Sequence, residues 1–176
     1  SSDLRLARGI LTGMGLDPVP VTSGSKGIHL YVRLPTDETG QGLQTSDEIS
    51  AVAKELARML EAENPSLITH VMAKSAREGK VFIDWSQNNG AKTTIAPYSL
   101  RGRARPWVAA PRSWEELDDP ALAQLEFGPV LERMDSGIDS CAALAPPAPA
   151  LASYLSTRPA ARTPEPMPSG ASAAVT

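Results

Sequence analysis

A short polar loop, Ser23–Gly27 ("SGSKG"), leads into an alternating segment that carries His29. Consecutive small residues let backbone N–H groups converge on an anion, and Lys26 adds a point charge. The loop is not a Walker A motif, because the G-x-x-x-x-G-K-[ST] spacing is missing and a strand follows. We predict a phosphate-binding loop in which Ser23, Gly24 and Lys26 face the anion. The alternative is an ordinary glycine-rich turn, with His29 as a polar strand residue.

Asp84 ends the apolar segment "KVFID" and is followed by the polar turn "SQNNGAK". An acid in that position is well placed to bind a divalent metal ion. The alternative is an aspartate that caps the following turn. A single carboxylate is too few for a two-metal site, which needs several oxygen ligands.

Three further polar residues flank the segment that ends at Asp84. Arg77 precedes it, Gln87 follows it, and Arg101 ends the sequence "APYSLR". Arginine suits phosphate oxygens because its guanidinium donates two parallel hydrogen bonds. The alternative is a pair of surface arginines at loop ends. Together with the loop, these residues predict a site that binds phosphate and metal.

Helices and strands must position these residues. Apolar residues at helical spacing predict a helix over Asp3–Met14, and a second helix begins at Thr45 or Ser46 and runs to about Glu63. Alternation predicts a strand over Ile28–Leu34. The prolines of "PVPVTS", just before the loop, favour an extended chain.

The second half of the chain contains shorter elements. We predict strands over Leu67–Met72 and Lys80–Trp85, joined as a hairpin through "AREGK", and a short strand over Thr93–Ala96. Short helical pieces are predicted at Trp114–Leu117, Pro120–Leu125 and Pro129–Met134.

These elements predict an α+β domain with a mostly antiparallel or mixed sheet, one long helix and a short-helical C-terminal region. Strands and helices do not alternate often enough for a doubly wound sheet. We place the domain at residues 1–141. Residues 142–176 are rich in Ala, Pro and Ser, which predicts a linker or tail that does not fold alone.

Composition limits the classes of protein to consider. Cys141 is the one cysteine, which fits a reducing compartment, and no apolar run is long enough to span a membrane. The segment 66–112 has eight Lys or Arg and two acids, whereas 113–140 has eight acids and one arginine. This polarity favours an anionic ligand such as a nucleotide or nucleic acid. The alternative is two solvated surfaces of opposite charge.

Two long motifs resemble one family: "TSGSKGIHLYVRL" and "KVFIDWSQNNGAKTTIAPYSLRGRARPWVAAPRSWEEL". They are similar to the polymerase/primase domain of bacterial DNA ligase D, within the archaeo-eukaryotic primase superfamily. The similarity spans about Leu4 to Leu125, with a weaker echo near Arg162 to Pro168. The implied fold is therefore a partial primase-like fold.

The resemblance implies a function and a set of site residues. Ser23, Lys26 and His29 match the motif that contacts the nucleoside triphosphate, and Asp84 matches a metal-binding aspartate. The remaining implied nucleotide contacts are Arg77, Gln87 and Arg101. The implied reaction adds nucleotides, preferably ribonucleotides, to DNA ends with Mn²⁺ or Mg²⁺ during non-homologous end joining. Implied partners are Ku and a ligase domain, and the implied location is the bacterial cytoplasm at the nucleoid.

One motif of the family is not matched. A D-x-D pair that supplies two metal carboxylates is expected just before the first helix, where Asp3 stands alone. Asp17, Asp37 and Asp47 all lie later in the chain. We therefore expect the chain to be the C-terminal part of the domain and to be inactive alone. The alternative function is a non-catalytic module that binds DNA ends or a partner.

Overall fold

Helices and short strands follow one another irregularly along the chain, as expected for an α+β fold. A computed structural model describes residues 2–39, 41–102 and 104–145. In chain order the elements are α1 (Ser2–Gly13), β1 (Val19–Thr22), β2 (Ile28–Tyr31), α2 (Ser46–Glu63), β3 (Ile68–Thr69), β4 (Val81–Phe82), β5 (Leu100–Gly102), β6 (Pro106–Val108), β7 (Ala110–Pro111), β8 (Leu125–Glu126) and α3 (Phe127–Asp135). Single 3₁₀ turns lie at Lys74–Arg77, Trp85–Asn88, Glu116–Asp118 and Ala142–Leu144.

The antiparallel sheet β2-β1-β7 carries the Ser23–Gly27 loop between β1 and β2. The buried Val21 pairs with His29 across the ladder, and the buried Thr22 Oγ1 donates to the Ala110 carbonyl at 3.0 Å. The predicted extended segment and strand are thus confirmed. The strand ends at Tyr31, earlier than predicted, because β1 has four residues and Val19 pairs with Tyr31.

Helices α1 and α2 pack beside this sheet, and both were predicted. Thr45 begins α2 with a capping box, in which its side chain accepts from the Glu48 N–H while the Glu48 carboxylate accepts from the Thr45 N–H. The helices meet at a core of Ala7, Leu60 and Ile68. This core joins the helical layer to β3, because Ile68 belongs to that strand.

The pairing of β3 with β4 differs from the prediction. The two strands are parallel, with Ile68 opposite Val81 and Thr69 opposite Phe82, so the predicted hairpin is wrong. The connecting chain forms a 3₁₀ turn at Lys74–Arg77 and reverses again at Gly79, whose φ is +70°. Alternation of side chains identifies a strand and its faces, but it does not give the direction of its partner.

A second antiparallel sheet, β5-β6-β8, lies after the Asp84 segment. Its strands were not predicted, because each has only two or three residues and no measurable alternation. Thr93–Ala96 forms no strand, and Pro120–Leu125 is a turn that leads into β8 and not a helix. Helix α3 confirms the last predicted helical piece, and its Val130 packs on Val108 and Ala110.

The oppositely charged segments of the sequence pair with each other in the fold. Arg112, of which 6% is exposed, contacts the Glu116 carboxylate at 2.9 Å, and Arg133 of α3 contacts the same carboxylate at 2.7 Å. Arg105 likewise pairs with Glu126. Arg112 and Arg105 of the basic segment therefore pair with acids of the acidic segment, and Arg112 is buried in its ion pair.

No helix among the described residues is long and apolar enough to cross a membrane. The proposed tail begins within the described part, where Ala142–Leu144 forms a 3₁₀ turn. Its remainder, from residue 146 onward, lies outside the described residues, as does the weaker motif at 162–168.

Candidate nucleotide-binding site

The Ser23–Gly27 loop is a hairpin turn closed by its own ends. The Ser23 N–H donates to the Gly27 carbonyl at 2.9 Å, and the Gly27 N–H donates to Ser23 Oγ at 3.2 Å. These two N–H groups are used inside the turn and do not converge on an anion. Lys26 is exposed on this turn, so its side chain is open to solvent.

Gly24 is required by the space around it. It has a φ of +67°, and a Cβ there would lie 3.0 Å from Arg101 Cγ and 3.2 Å from the Val108 carbonyl carbon. Arg101 Nε donates to the Ser23 carbonyl at 2.9 Å. Arg101 therefore lies directly beneath the turn, which sequence patterns alone did not indicate.

His29 follows the turn on β2 and is half-buried. Burial and the positive charge of Arg101 lower the pKa of His29, and the Asp84 carboxylate partly offsets this. Its Nδ1 lies 3.3 Å from Tyr31 Oη, which donates its own hydrogen to the Ile95 carbonyl. The neutral imidazole therefore donates from Nδ1 and keeps Nε2 as an acceptor.

Asp84 lies after β4 and caps the 3₁₀ turn Trp85–Asn88, so the capping interpretation is confirmed. Its Oδ1 accepts from the Ser86 N–H at 3.2 Å and from Ser86 Oγ at 2.6 Å. Its Oδ2 accepts from Gln87 Nε2 at 2.9 Å. Burial raises the pKa of Asp84, but these bonds and the charge of Lys92 outweigh burial and lower it.

Lys92 was counted among the basic residues but was not assigned to the site. Its ammonium donates to Ser86 Oγ, which in turn donates to Asp84. The sequence did contain a signal for this contact, because Lys92 ends the polar segment "SQNNGAK" that follows Asp84. The structure therefore groups Asp84, Ser86, Gln87 and Lys92 as one local cluster.

Arg77 is held away from the Asp84, Ser86, Gln87 and Lys92 cluster by contacts with β4 and the loop before it. Its guanidinium stacks on the Phe82 ring, 3.5 Å from the centroid, and donates to the Met72 carbonyl. The contacts found in the described ranges tie Arg77 to β4 and the preceding loop. They do not bring it to the Ser23–Gly27 turn.

The described residues do not complete a divalent-metal site. Among them, no group of three or more His, Cys, Asp or Glu side chains could hold a metal ion. Asp84 retains lone pairs beyond its present hydrogen bonds and can supply one ligand. A metal held at Asp84 would need further ligands from elsewhere.

Comparison with known proteins gives a consistent assignment. A family model described as "LigD, primase-polymerase domain" matches residues 4–141. The multifunctional non-homologous end joining protein LigD of Mycolicibacterium smegmatis is 51% identical over 92% of this chain and 21% of its own length. The bifunctional LigD of Bacillus subtilis is 32% identical over 74% of this chain and 20% of its own length. The chain therefore spans about a fifth of the length of these relatives.

A solved structure shares the fold. The polymerase domain from Mycobacterium tuberculosis ligase D in complex with DNA superposes with a TM-score of 0.73 at 52% identity, covering 81% of this chain and 48% of that chain. The α+β prediction and the family resemblance are both confirmed. The chain belongs to the LigD primase-polymerase domain family.

Proposed function

We propose that this chain forms the triphosphate-binding side of a polymerase site that adds nucleotides to DNA ends. The observation that supports it is the hydrogen bond from Arg101 Nε to the Ser23 carbonyl beneath the Ser23–Gly27 turn, with His29 close enough for the charges of both Arg101 and Asp84 to shift its pKa. Arg101 and the exposed Lys26 thus provide positive charge at the turn, and Asp84 lies near enough to act on His29, which is the charge pattern that a metal-bound triphosphate needs.

Each residue has a distinct proposed role. The exposed Lys26 is proposed to contact the terminal phosphates, and Ser23 and Gly24, which are buried, are proposed to hold the backbone of the turn beneath them. Arg101 supplies a fixed positive charge from below, and His29 offers Nε2 as an acceptor. Gln87 and Arg77 are proposed as further nucleotide contacts on the two sides of the Asp84 segment.

Asp84 is proposed as one ligand of a divalent metal ion, Mn²⁺ or Mg²⁺. When bound, such an ion neutralises phosphate charge and activates the attacking hydroxyl. The remaining ligands are proposed to come from outside the described residues, so catalysis is proposed to need a larger part of the domain. Within this chain, Ser86 and Gln87 orient the Asp84 carboxylate by hydrogen bonds. Together with the charge of Lys92 they favour its ionised form.

The biological setting is proposed from the relatives. Their printed names are those of non-homologous end joining proteins, and one solved relative is a polymerase domain in complex with DNA. We propose DNA ends and ribonucleotides as substrates, Ku and a ligase domain as partners, and the bacterial cytoplasm at the nucleoid as the location.

Primer extension tests the proposal. We expect no extension of a templated DNA end by this chain with Mn²⁺ and ribonucleotides, and activity once the upstream residues of the domain are added. Asp84→Ala in the longer chain should abolish that activity, whereas Asp135→Ala, on the exposed end of α3, should not. Extension by the longer chain that survives both Lys26→Ala and Asp84→Ala would contradict the proposed site.

A non-catalytic module that binds DNA ends is the second candidate. It is favoured by the incomplete set of metal ligands among the described residues. Binding of duplex ends that is unaffected by Lys26→Ala and Asp84→Ala, without extension by the longer chain, would support it.

A further inference from the structure

Tyr98 has a backbone conformation that tyrosine rarely adopts. Within the described ranges it is the one residue other than glycine with a positive φ, at +65°. The Ser99 N–H donates to the Ala96 carbonyl at 3.2 Å, with Pro97 second and Tyr98 third in the turn. This is the pattern of a type II turn, whose third position normally holds glycine or asparagine. Contacts elsewhere in the fold must therefore stabilise this unfavourable backbone conformation.

The Tyr98 side chain has two kinds of long-range contact. Its ring packs against the buried Val108, Ala110 and Val130. Its Oη donates to Asp139 Oδ1 at 2.7 Å, and the same oxygen accepts from the Cys141 N–H at 2.9 Å. The segment after α3 thus holds the phenol in place.

The turn at Tyr98 sets the position of Arg101. The Tyr98 N–H donates to the Ala109 carbonyl at 2.7 Å, and the Ala109 N–H donates to the Ser99 carbonyl at 2.9 Å. This ladder continues directly into β5, where Arg101 lies opposite Trp107. A shift of the turn would therefore move Arg101 relative to the Ser23 carbonyl that it contacts.

We propose that Tyr98 is a positioning residue for the triphosphate site: its hydrogen bond to Asp139 fixes the left-handed turn from which Arg101 reaches the underside of the Ser23–Gly27 turn. The inference rests on the proposed function, because it assigns Tyr98 a role in binding triphosphate. Because Asp139 lies in the segment after α3, that segment would also influence nucleotide affinity, although it is far in sequence from the Ser23–Gly27 turn. Burial and the bond to Asp139 raise the pKa of Tyr98, which keeps the phenol protonated as a donor.

The test is calorimetric titration of the 176-residue chain with ATP and Mg²⁺. Tyr98→Phe keeps the ring packing and removes the donor, and we expect it to weaken ATP binding by about three- to tenfold, the range one hydrogen bond contributes. Asp139→Ala should weaken it similarly, and Asp139→Asn, which keeps an acceptor, should restore it. The double variant Tyr98→Phe/Asp139→Ala should bind about as well as Asp139→Ala alone.

Amide hydrogen exchange separates positioning from a general loss of stability. We expect Tyr98→Phe to speed exchange at the Ser23 and Gly27 amides more than in α2, whose buried Leu60 packs in a separate core with Ala7 and Ile68. Asp135→Ala, which removes an exposed charge at the end of α3, should change neither ATP binding nor amide exchange. Equal acceleration in the turn and in α2 would overturn the positioning role.

The two proposals fail in different ways. If Lys26→Ala and Arg101→Ala weaken ATP binding but Tyr98→Phe does not, the positioning role is wrong and the proposed site stands. If the unaltered chain does not bind ATP, or binds it equally well after Lys26→Ala, the proposed site is wrong and the inference falls with it.

Discussion

The two halves of the candidate site are held by contacts of very different range. Arg101 reaches Ser23 across 78 positions of sequence, and Gln124 Nε2 reaches the Gly27 carbonyl across 97. Asp84, by contrast, is bonded to Ser86 and Gln87, two and three positions away. The Ser23–Gly27 turn thus depends on the tertiary fold, whereas the Asp84 carboxylate is oriented by its immediate neighbours.

The largest expected effect is at Gly24. Gly24→Ala adds a Cβ at 3.0 Å from Arg101 Cγ and 3.2 Å from the Val108 backbone, in a conformation with a φ of +67°. Strain and overpacking together should lower the free energy of unfolding by about 2–4 kcal/mol, measured by urea denaturation.

Gly79→Ala is the matched control for this substitution. Gly79 has a φ of +70°, but nothing lies within 4 Å of its added Cβ. We expect this variant to lose only the backbone component, about 1 kcal/mol. Equal destabilisation by the two variants would show that packing beneath the Ser23–Gly27 turn adds nothing to stability. The turn would then not depend on distant contacts more than Asp84 does.

A smaller effect, dependent on pH, is expected at Glu116. Burial raises the pKa of Glu116, but bonds from Arg133, the Ser113 N–H and Arg112 outweigh it and lower the pKa to about 2. The folded pKa lies below the unfolded value, so the stabilisation is present above about pH 4.5 and is lost as pH falls toward 2. Between pH 7 and pH 3 the free energy of unfolding should fall by about 1–2 kcal/mol more in the unaltered chain than in the Glu116→Gln variant.

The Glu116 network is linked to the Ser23–Gly27 turn through Arg112. The backbone N–H of Arg112 donates to the Pro20 carbonyl of β1, the strand that leads into that turn. Urea denaturation at a series of pH values measures the difference, and Glu132→Gln, on the exposed surface of α3, is the control. Parallel pH profiles for the unaltered chain and Glu116→Gln would show that this partly buried network does not stabilise the fold.

The smallest effect on stability is expected at Asp84. Asp84→Ala removes the cap of the 3₁₀ turn and should lower the free energy of unfolding by about 1 kcal/mol. Asp84→Asn keeps an acceptor for Ser86 and should lose less than that. Thermal unfolding followed by circular dichroism measures both. A loss as large as that of Gly24→Ala would mean that Asp84 is coupled to the distant core, contrary to its local contacts.

The sequence predicted what local patterns determine. Apolar residues at helical spacing gave α1 and α2, and Thr45 was correctly expected near the start of α2. Asp84 lies at the start of a polar turn, so its capping role could be anticipated from its neighbours. The Ser23–Gly27 loop was likewise recognisable from its small residues and its following strand.

The rest depends on partners far away in the chain. The parallel direction of β3 and β4 is set by the chain between them, which contains no sequence signal for direction. The strands β5 to β8 are too short for alternation to appear. The place of Arg101 beneath Gly24 follows from β5 pairing with β6, and no local pattern indicates that pairing.

The pairing of β1 with β7 also sets an order of events during synthesis. Thr22 is joined to Ala110 across 88 positions, and Arg101 to Ser23 across 78. A nascent chain can make the Ser23–Gly27 segment early, but the residues beneath it leave the ribosome much later. Closing so long a loop is entropically costly and slow compared with forming α1 or α2. The turn therefore acquires its folded geometry only after Arg101 and Ala110 have been translated.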